Sequence, residues 1–494
     1  MSMLLRQARW YGDDRRYDLR IRAGRIAQIA PGGSLEPEGD DLADLDGRFV
    51  GPGLWDEHVH FTQWVTQGRR LDLGPARSAA EVLERVGAAL ERAPLGAGEL
   101  LVGYGFRDAL WPDAPTRHGL DRVVGDVAAS LVSGDLHCGW LSSRAATRLG
   151  VQVDDSGVLR EGPWLAALSS LDEAPPPSQA YADAAEAAAR RGVVGIVDFE
   201  NADNAGEWPD RVAAGVTSLR VEASVWPDRL EKVIAQGLRT GAVLDPHGVD
   251  PQGLVAFGRL KVVVDGSLNT RTALCWEPYP GLEPHVPNAC WNASDPPGEL
   301  AALLERATGN GIAAAVHAIG DRANTEVIDT FERLGRPGVI EHAQLVSAED
   351  FARFASLGLV ASVQPEHAMD DRDVADRLWA GRTARAFAYG SLHAAGAVLR
   401  LGSDAPVAPL DPWLAIASAT SRSRGGRDPW HPEQNLPLDV ALAASARGRT
   451  KVAEGDVADL VVLEDDPMTV SHEGLRAMPV AGTLLGGRWT WQGW

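Results

Sequence analysis

Apolar and polar residues alternate near both ends of the chain. Segments within residues 1–50, such as LRQARWYG and RRYDLRIRAGRIAQIAP, place apolar residues at every second position between Gly, Pro and Asp, which is typical of short strands. The segments GDVADLVVLEDDP and VAGTLLGGRWTWQGW have the same texture. The pattern predicts a small β-sandwich domain that combines residues 1–52 with residues 448–494.

Between these ends, short β-rich apolar runs alternate with Ala-rich helical runs. The runs are GLWDEHVHF, VVGIVDFEN, SLRVEASVW, LKVVVDGS, GIAAAVHAIGD, VIEHAQ, GLVASVQPEH and VLRLGSDAPV. This alternation favours the α/β class and predicts a TIM-like (β/α)8 barrel over residues 53–447, with its chemistry at the C-terminal ends of the strands. The first two runs are separated by about 130 residues, far more than a crossover needs, so we expect an inserted subdomain at about residues 70–178. The segment APPPSQ, from Ala174, is its predicted exit linker.

Composition narrows the class of partner. The 494 residues carry a net charge of -21, which argues against nucleic acid or an anionic membrane surface and favours a small-molecule substrate. The sequence shows no signal-peptide pattern, no membrane-length apolar run and no paired-cysteine motif. We therefore expect a cytoplasmic protein, and a homodimer is one possible assembly.

Polar residues that could bind a metal follow several of the apolar runs. His58 and His60 stand two apart, so on a strand both imidazoles point to the same side. His317 and His342 end two later runs, and Asp404 follows the last run. Each has an ordinary alternative: a hydrogen-bonded histidine, a satisfied core histidine, or a helix N-cap for Asp404. A carboxylate at position 404 could instead bind a metal or accept a proton from metal-bound water.

Lys261 lies in the run LKVVVDGS of a chain that has only three lysines among its 47 basic residues. An ammonium group in a buried strand is costly unless it is paired or modified. A deprotonated lysine amine can react with carbon dioxide to form a carbamate, an anionic ligand that can bridge two cations, whereas a guanidinium stays protonated. The alternative is a salt bridge to Asp265 or to another nearby carboxylate.

These motifs together resemble the metal-dependent amidohydrolase superfamily. GPGLWDEHVHF, VVVDGSLNTRTA, VHAIGDRA, IEHAQ, LGSDAPV and GDVADLVVLEDDP appear in that family's order, and they are most similar to its YtcJ-like branch, which includes N-substituted formamide deformylases. The resemblance implies that His58 and His60 bind the more buried metal and that carboxylated Lys261 bridges. It also implies that His317 and His342 bind a second metal, and that Asp404 is both ligand and proton shuttle.

The resemblance extends to the substrate pocket. The segment VSGDLHCGWLSS is similar to a branch motif whose His and Trp reach the substrate, here His137 and Trp140, which would share a face if the segment were helical. Arg271 is similar to an arginine beside the active site. Packing of the insertion and a strand-end salt bridge are the respective alternatives. His367 and Asp370 are further candidates for the pocket lining, with a loop role as the alternative.

The predicted activity is hydrolysis of a C–N bond in an amide, formamide or carbamate by metal-activated hydroxide, with one or two divalent metals, most simply zinc. A catalytically inactive barrel scaffold and a metal-dependent isomerase or decarboxylase stay open as alternatives. The chain has sixteen tryptophans, several of them in or near the insertion and loops, which suggests an aromatic pocket; the ones considered are Trp55, Trp64, Trp111, Trp140 and Trp164.

Overall fold

The structure is a computed structural model that describes residues 2–67, 70–96, 99–168, 176–281 and 297–494. Residues 169–175, with the start of the predicted APPPSQ linker, lie outside the described part. The chain begins with five strands that alternate apolar and polar positions: β1 (Ser2–Trp10), β2 (Arg16–Arg22), β3 (Arg25–Pro31), β4 (Asp41–Asp44) and β5 (Phe49–Pro52). As predicted, they are joined by strands from the other end of the chain.

The barrel starts directly after β5 and is then interrupted by an insertion. Strand β6 (Leu54–Val59) and helix α1 (Phe61–Gln67) come first. The insertion contains β7 (Leu71–Asp72), α2 (Ala79–Arg92), β8 (Leu100–Phe106), α3 (Arg117–Val124), β9 (Ala128–Ser133), β10 (Cys138–Leu141), α4 (Ser143–Leu149), β11 (Val158–Arg160) and α5 (Glu161–Leu168). Its five strands form a sheet of their own, in the order β11-β10-β9-β8-β7. Ser78, Thr116 and Ser142 begin α2, α3 and α4 by accepting a backbone hydrogen bond.

Strand and helix then alternate through the rest of the barrel. The elements are α6 (Ser178–Ala189), β12 (Val193–Asp198), α7 (Asn204–Ala213), β13 (Arg220–Val225), α8 (Leu230–Ala235), β14 (Val255–Val263), α9 (Pro297–Gly309), β15 (Ala314–Ala318), α10 (Asp321–Leu334), β16 (Val339–His342), α11 (Phe351–Ser356), β17 (Val360–Val363), α12 (Pro365–Leu378), α13 (Tyr389–Ala394), β18 (Val398–Leu401), α14 (Pro412–Ser421) and α15 (Leu438–Ala444). Eight parallel strands pair in the order β18-β17-β16-β15-β14-β13-β12-β6. A parallel bridge between Val59 and Ala405 brings the two ends of this sheet together. The predicted α/β barrel is confirmed.

Three strands from the end of the chain complete the terminal sheet: β19 (Leu460–Leu463), β20 (Val480–Leu485) and β21 (Arg488–Gln492), with α16 (His472–Arg476) before β20. The sheet runs in the order β21-β20-β19-β5-β1-β2-β3. Strand β1 pairs with β4 near its start and with β5 near its end. The strands enclose an apolar cluster that includes Leu5, Ile21 and Leu460 and is separate from the barrel core.

Apolar burial explains why the barrel strands form. All six residues of β12 are buried, as expected for a strand covered on both faces of a parallel sheet. Gly195 in this strand lies against the Trp55 ring, where an added Cβ would come within 2.5 Å of the ring. Among the described residues, no helix is both long and apolar enough to cross a membrane.

Candidate active site

The candidate ligands lie at or just beyond the C-terminal ends of the barrel strands. Strand pairing sets them side by side: Val263 of β14 pairs with His317 of β15, and Ala318 pairs with His342 of β16. The Val59–Ala405 bridge sets the loop of Asp404 beside the end of β6. We call this surface the polar floor; it consists of His58, His60, Lys261, His317, His342 and Asp404.

The tightest part of the polar floor is formed by His58, His342 and Asp404. One ligand atom from each lies within 4.8 Å of the other two, and all three residues are buried. The Nε2 atoms of His58 and His60 lie 3.5 and 3.4 Å from Asp404 Oδ1. The rings of His317 and His342 have centroids 4.4 Å apart. The structure thus brings all five histidine and aspartate candidates to one point, from four different strands or strand ends.

Lys261 also reaches this point. Its Nζ lies 3.1 Å from His58 Nε2 and 4.4 Å from the centroid of the Phe199 ring. Burial lowers the pKa of Lys261 to about 8, although the charges of Glu341 and Asp404 favour the ammonium form. Asp265 does not pair with it. That carboxylate accepts hydrogen bonds from the backbone nitrogens of Leu274, Ile319 and Gly320 instead.

Hydrogen bonds to the outer ring nitrogens orient two of the imidazoles. His58 Nδ1 lies 2.7 Å from Glu341 Oε2, and His342 Nδ1 lies 2.8 Å from Gln364 Oε1. Because these oxygens accept a proton-bearing nitrogen, the Nε2 lone pair of each ring is directed at the polar floor. His317 is turned the other way, with Nε2 3.4 Å from Asp265 Oδ1.

Burial and neighbouring charges also set the protonation of the polar floor. Burial, followed by the nearby charges of Lys261 and the other histidines, lowers the pKa of His58 well below its ordinary value, and burial does the same for His342. Burial alone would raise the pKa of Asp404, but its contact with His60 and the charges of His342 and His367 hold that pKa below its usual range. At neutral pH the set therefore offers neutral imidazoles and a carboxylate.

The backbone at two of these residues lies in the left-handed region. His342 has φ 73° and Asp404 has φ 58°, conformations that cost a non-glycine residue about 1–3 kcal/mol each. Buried Asp56 supports one of them, since its Oδ1 accepts hydrogen bonds from the backbone nitrogens of Ser403 and His58 at 2.8 and 3.2 Å. Strain of this kind is found where geometry at a functional site matters more than local comfort.

These residues fit a divalent cation. Neutral imidazoles and carboxylates are ligands for zinc and similar ions. His367 Nε2 is buried without a hydrogen-bond partner among the described residues, and it lies 3.8 Å from Asp404 Oδ2, which is too far for a hydrogen bond. His60 Nδ1 is likewise buried without a partner. Polar atoms left in this state around one carboxylate are accounted for by a cation that they share.

A cavity of about 410 Å³ opens above the polar floor. The insertion contributes one side of it, which we call the apolar wall: Leu136, Leu165 and Leu168. Trp226, Leu268 and Val407 add apolar surface from barrel loops, and His367, Gln344 and Asp371 add polar groups. The cavity therefore has a titratable bottom and an aliphatic side.

The aromatic pocket suggested by the tryptophan count is wrong. Of the described tryptophans, Trp226 lines the cavity, whereas the five tryptophans considered from the sequence do not. Trp140 and Trp164 are fully buried within the insertion, and Trp164 donates a hydrogen bond to the Leu136 carbonyl. These rings fill cores, which is the usual role of large aromatic residues.

The three residues predicted to bind substrate have separate locations. His137 lines the cavity from the turn between β9 and β10, and its ring centroid is 6.3 Å from that of His317. Trp140 lies in strand β10 rather than in a helix, so it does not share a face with His137 and packs into the core of the insertion. Arg271 is exposed and is not part of the cavity lining. His367 lines the cavity, and Asp370 binds Arg107 beside it at 3.0 Å.

Sequence reasoning missed the residues that orient the ligands. Glu341 and Gln364 were not singled out, although Glu341 stands inside the quoted motif IEHAQ and Gln364 inside SVQPEH. Glu341 has a signal that could have revealed it: a carboxylate in the middle of a buried strand, next to a candidate ligand, must have a partner. Burial raises the pKa of Glu341 to about 7, despite the charge of Lys261.

A parallel barrel with imidazoles and a carboxylate converging at its strand ends is an arrangement of barrel enzymes. The profile of the Amidohydrolase family matches residues 41–490. The chain therefore belongs to the amidohydrolase family, and it is a hydrolase.

Individual relatives agree with this assignment. The chain is 29% identical to the amidohydrolase-type protein YtcJ of Bacillus subtilis (strain 168), with 92% of this chain and 90% of that protein covered. It is 24% identical to the N-substituted formamide deformylase of Arthrobacter pascens, with 94% and 93% covered. The crystal structure of an uncharacterized metal-dependent hydrolase from Pyrococcus horikoshii matches with a TM-score of 0.77 at 25% identity and covers 96% of this chain and 99% of that one.

Proposed function

We propose that this chain hydrolyses the C–N bond of a small amide, formamide or carbamate with the help of a divalent metal, for which zinc is our first expectation. The observation that carries the proposal is the convergence of His58, His342 and Asp404 within 4.8 Å. The metal would be held by the six residues of the polar floor. When bound, it would supply a positive charge that polarises the scissile carbonyl and acidifies a water molecule.

Asp404 is the proposed proton carrier. Its lowered pKa keeps it a carboxylate at neutral pH, so Oδ1 or Oδ2 can accept a proton from the attacking water. The same oxygen then returns the proton to the leaving nitrogen as the C–N bond breaks. The products are a carboxylic or carbamic acid and an amine, and no further reactant is needed.

Lys261 is proposed to act as its carbamate. A pKa of about 8 leaves a substantial fraction of the side chain as free amine near neutral pH, which is the form that reacts with carbon dioxide. The resulting anion would replace an ammonium group that now faces His58 Nε2 at 3.1 Å. An anionic ligand there would complement two cations, whereas an ammonium group would repel them.

The substrate is proposed to carry an apolar substituent. The apolar wall offers aliphatic surface to whatever group extends away from the polar floor. Arg107, the nearest charged group on that side, is already paired with Asp370 and the Val407 carbonyl. The name of the Arthrobacter relative, an N-substituted formamide deformylase, favours a formamide with such a substituent on nitrogen.

Metal content and turnover test the proposal together. Protein purified without chelators, with Lys261→Ala and Lys261→Arg variants beside it, is analysed by mass spectrometry for metal and assayed on alkyl and aryl formamides with identification of the products. We expect two metals per chain in the parent, one or none in both variants, and release of formate and amine by the parent.

The other outcomes are informative. One metal in all three proteins would remove the bridging carbamate but keep a hydrolase with a single metal. No metal, even after reconstitution with zinc and bicarbonate, would overturn the hydrolytic proposal in favour of a scaffold. A rearranged or decarboxylated product would replace hydrolysis by the isomerase or decarboxylase alternative.

A further inference from the structure

The insertion delivers one imidazole to the cavity on a well-fixed turn. The backbone nitrogen of His137 donates a hydrogen bond to Asp135 Oδ1 at 3.1 Å. Asp135 also accepts hydrogen bonds from Ser133 Oγ at 2.6 Å and, across to the barrel, from Ser267 Oγ at 3.1 Å. The main chain of His137 is therefore held from both the insertion and the barrel.

Glu161 holds the side chain of His137. Glu161 is the first residue of α5, it is only 4% exposed, and its Oε2 lies 2.9 Å from His137 Nδ1. Its other oxygen, Oε1, accepts hydrogen bonds from the hydroxyls of Thr270 and Thr272, the latter at 2.6 Å. Both oxygens of this buried carboxylate are thus engaged, one by the imidazole and one by the barrel loop that follows β14.

The structure makes room for this contact at some cost. Glu161 has φ 51°, a left-handed conformation that a side chain disfavours. Gly266 leaves space beneath it, since an added Cβ would lie 1.9 Å from Thr272 Oγ1 and 3.0 Å from Glu161 Oε1. A helix start whose only role was to follow β11 would not require either feature.

The orientation of the ring follows from these bonds. With Nδ1 bound to Glu161, the free nitrogen of His137 is Nε2, and the residue lines the cavity. The ring lies beside His317, on the side of the cavity that the insertion forms. A substrate held over the polar floor would therefore have His137 Nε2 within reach of its reacting group or of the adjoining atoms.

Building on the proposed function, we propose that Glu161 is a positioning residue for catalysis. It fixes His137 so that the Nε2–H of the imidazole donates a hydrogen bond to the substrate oxygen that gains negative charge during hydrolysis. Electrostatic stabilisation by a fixed donor of this kind is worth about a hundredfold or more in rate. Burial lowers the pKa of His137, but the charge and hydrogen bond of Glu161 raise it overall to about 9, which agrees with a donor at both nitrogens.

Kinetics of a double-mutant cycle test the proposal. Glu161→Gln, His137→Gln and the double variant are compared with the parent on a formamide that the parent hydrolyses. We expect each single variant to lose about a hundredfold in kcat, with KM changed far less and metal content unchanged. The double variant should be no worse than the His137 variant, because Glu161 acts through His137.

A matched control and a second measurement keep the test decisive. Asp108→Asn removes a carboxylate of the same insertion that pairs with Arg160 at 2.6 Å and does not line the cavity, so kcat should be unchanged. In protein with isotope-labelled histidine, the Nδ1–H resonance of His137, identified by its absence in His137→Gln, should be lost in Glu161→Ala. This resonance can be read even if no formamide is a substrate.

Two results would overturn the positioning role. The first is parental kcat in Glu161→Gln, or losses in the two single variants that multiply in the double variant. The second is an unchanged His137 resonance in Glu161→Ala. Failure of the proposed function is distinct from both, because it would appear in the parent as an absence of bound metal and of turnover.

Discussion

The polar floor and the apolar wall face the same cavity but are built in opposite ways. Each residue of the polar floor comes from a barrel strand or the loop directly after it, and hydrogen bonds from Glu341 and Gln364 fix two of the rings. The apolar wall comes from a turn and one helix of the insertion, and contacts without directed bonds hold its leucines. Chemistry here is held by hydrogen bonds on a rigid frame, whereas shape is left to packing.

This difference predicts two kinds of mutational effect. Changes in the polar floor should lower the rate or the metal affinity by the same factor for every substrate. Changes in the apolar wall should alter which substrate is preferred and leave the metal in place. A mutation that crossed this boundary would show that the two surfaces are coupled.

The largest effect is expected from Asp404→Asn. An amide cannot accept the proton that the carboxylate accepts, so kcat should fall by about a hundredfold to ten-thousandfold for every substrate in an alkyl and aryl formamide series. Steady-state kinetics on the series measure the loss. Asp411→Asn is the control, because Asp411 caps α14 and binds Arg191 outside the cavity, and an asparagine can still cap the helix. A loss that differed strongly between substrates would contradict the comparison.

Next in size is the effect of Glu341→Gln on metal binding. Replacing a carboxylate that holds a metal-binding imidazole typically weakens the metal about tenfold to a hundredfold. Competition with a chromophoric chelator measures the affinity. Glu326→Gln, which affects a carboxylate paired with Arg322 on the surface of α10, should leave the affinity unchanged. Equal affinities for parent and Glu341→Gln would show that the contact of 2.7 Å with His58 does not support the site.

Leu165→Ala should redirect substrate preference. In the parent we expect kcat/KM to rise by about fourfold for each methylene added to a short N-alkyl group, since each buried CH₂ contributes about 0.8 kcal/mol. The variant should give a shallower dependence and an optimum at a larger substituent, with metal content unchanged. Leu149→Ala removes a partly buried leucine of the insertion that does not line the cavity. Identical chain-length profiles for parent and Leu165→Ala would exclude a role for the apolar wall.

The smallest effect concerns the pH dependence of stability in the barrel frame. Glu222 Oε1 lies 2.6 Å from Arg447 Nη1, and Arg259 lies 3.4 Å from Oε2. Burial would raise the pKa of Glu222, but these two charges hold it below its ordinary 4.5. A lowered pKa means that the pair stabilises the fold above about pH 4.5 and that this contribution is lost as the pH falls further.

Thermal melts of the parent and of Glu222→Gln should therefore differ at pH 7 and converge below about pH 4. The exposed pair of Glu231 and Arg306 supplies a control, because Glu231→Gln should change Tm little at either pH. A Tm difference for Glu222→Gln that grew on acidification would contradict the assigned sign.

The sequence was informative about the polar floor for a physical reason. A barrel places one chemical residue per strand end, so His58, His317, His342 and Asp404 could be recognised from their position after apolar runs. Lys261 stood out because lysine is rare in this chain. The family match supports the fold, while the ligand roles themselves stay proposals.

The insertion could not be predicted in the same way. Whether a residue of an inserted segment faces the cavity or its own core depends on how the segment docks, and the motif does not encode that. His137 and Trp140 illustrate this point, because they are three residues apart, yet one lines the cavity and the other is fully buried. Glu161 gave no signal at all, since its partners lie in a barrel loop more than a hundred residues away.

The pairing of β5 and β6 has a consequence for the newly made chain on the ribosome. Strand β5 pairs with β19 and β6 meets the loop after β18, so the first histidines of the polar floor are made long before their neighbours. Until residues near 405 emerge, β6 has a free edge, and the edge of β5 stays free until β19 is made. Unpaired edges invite aggregation. We therefore expect chaperones to remain bound through most of translation.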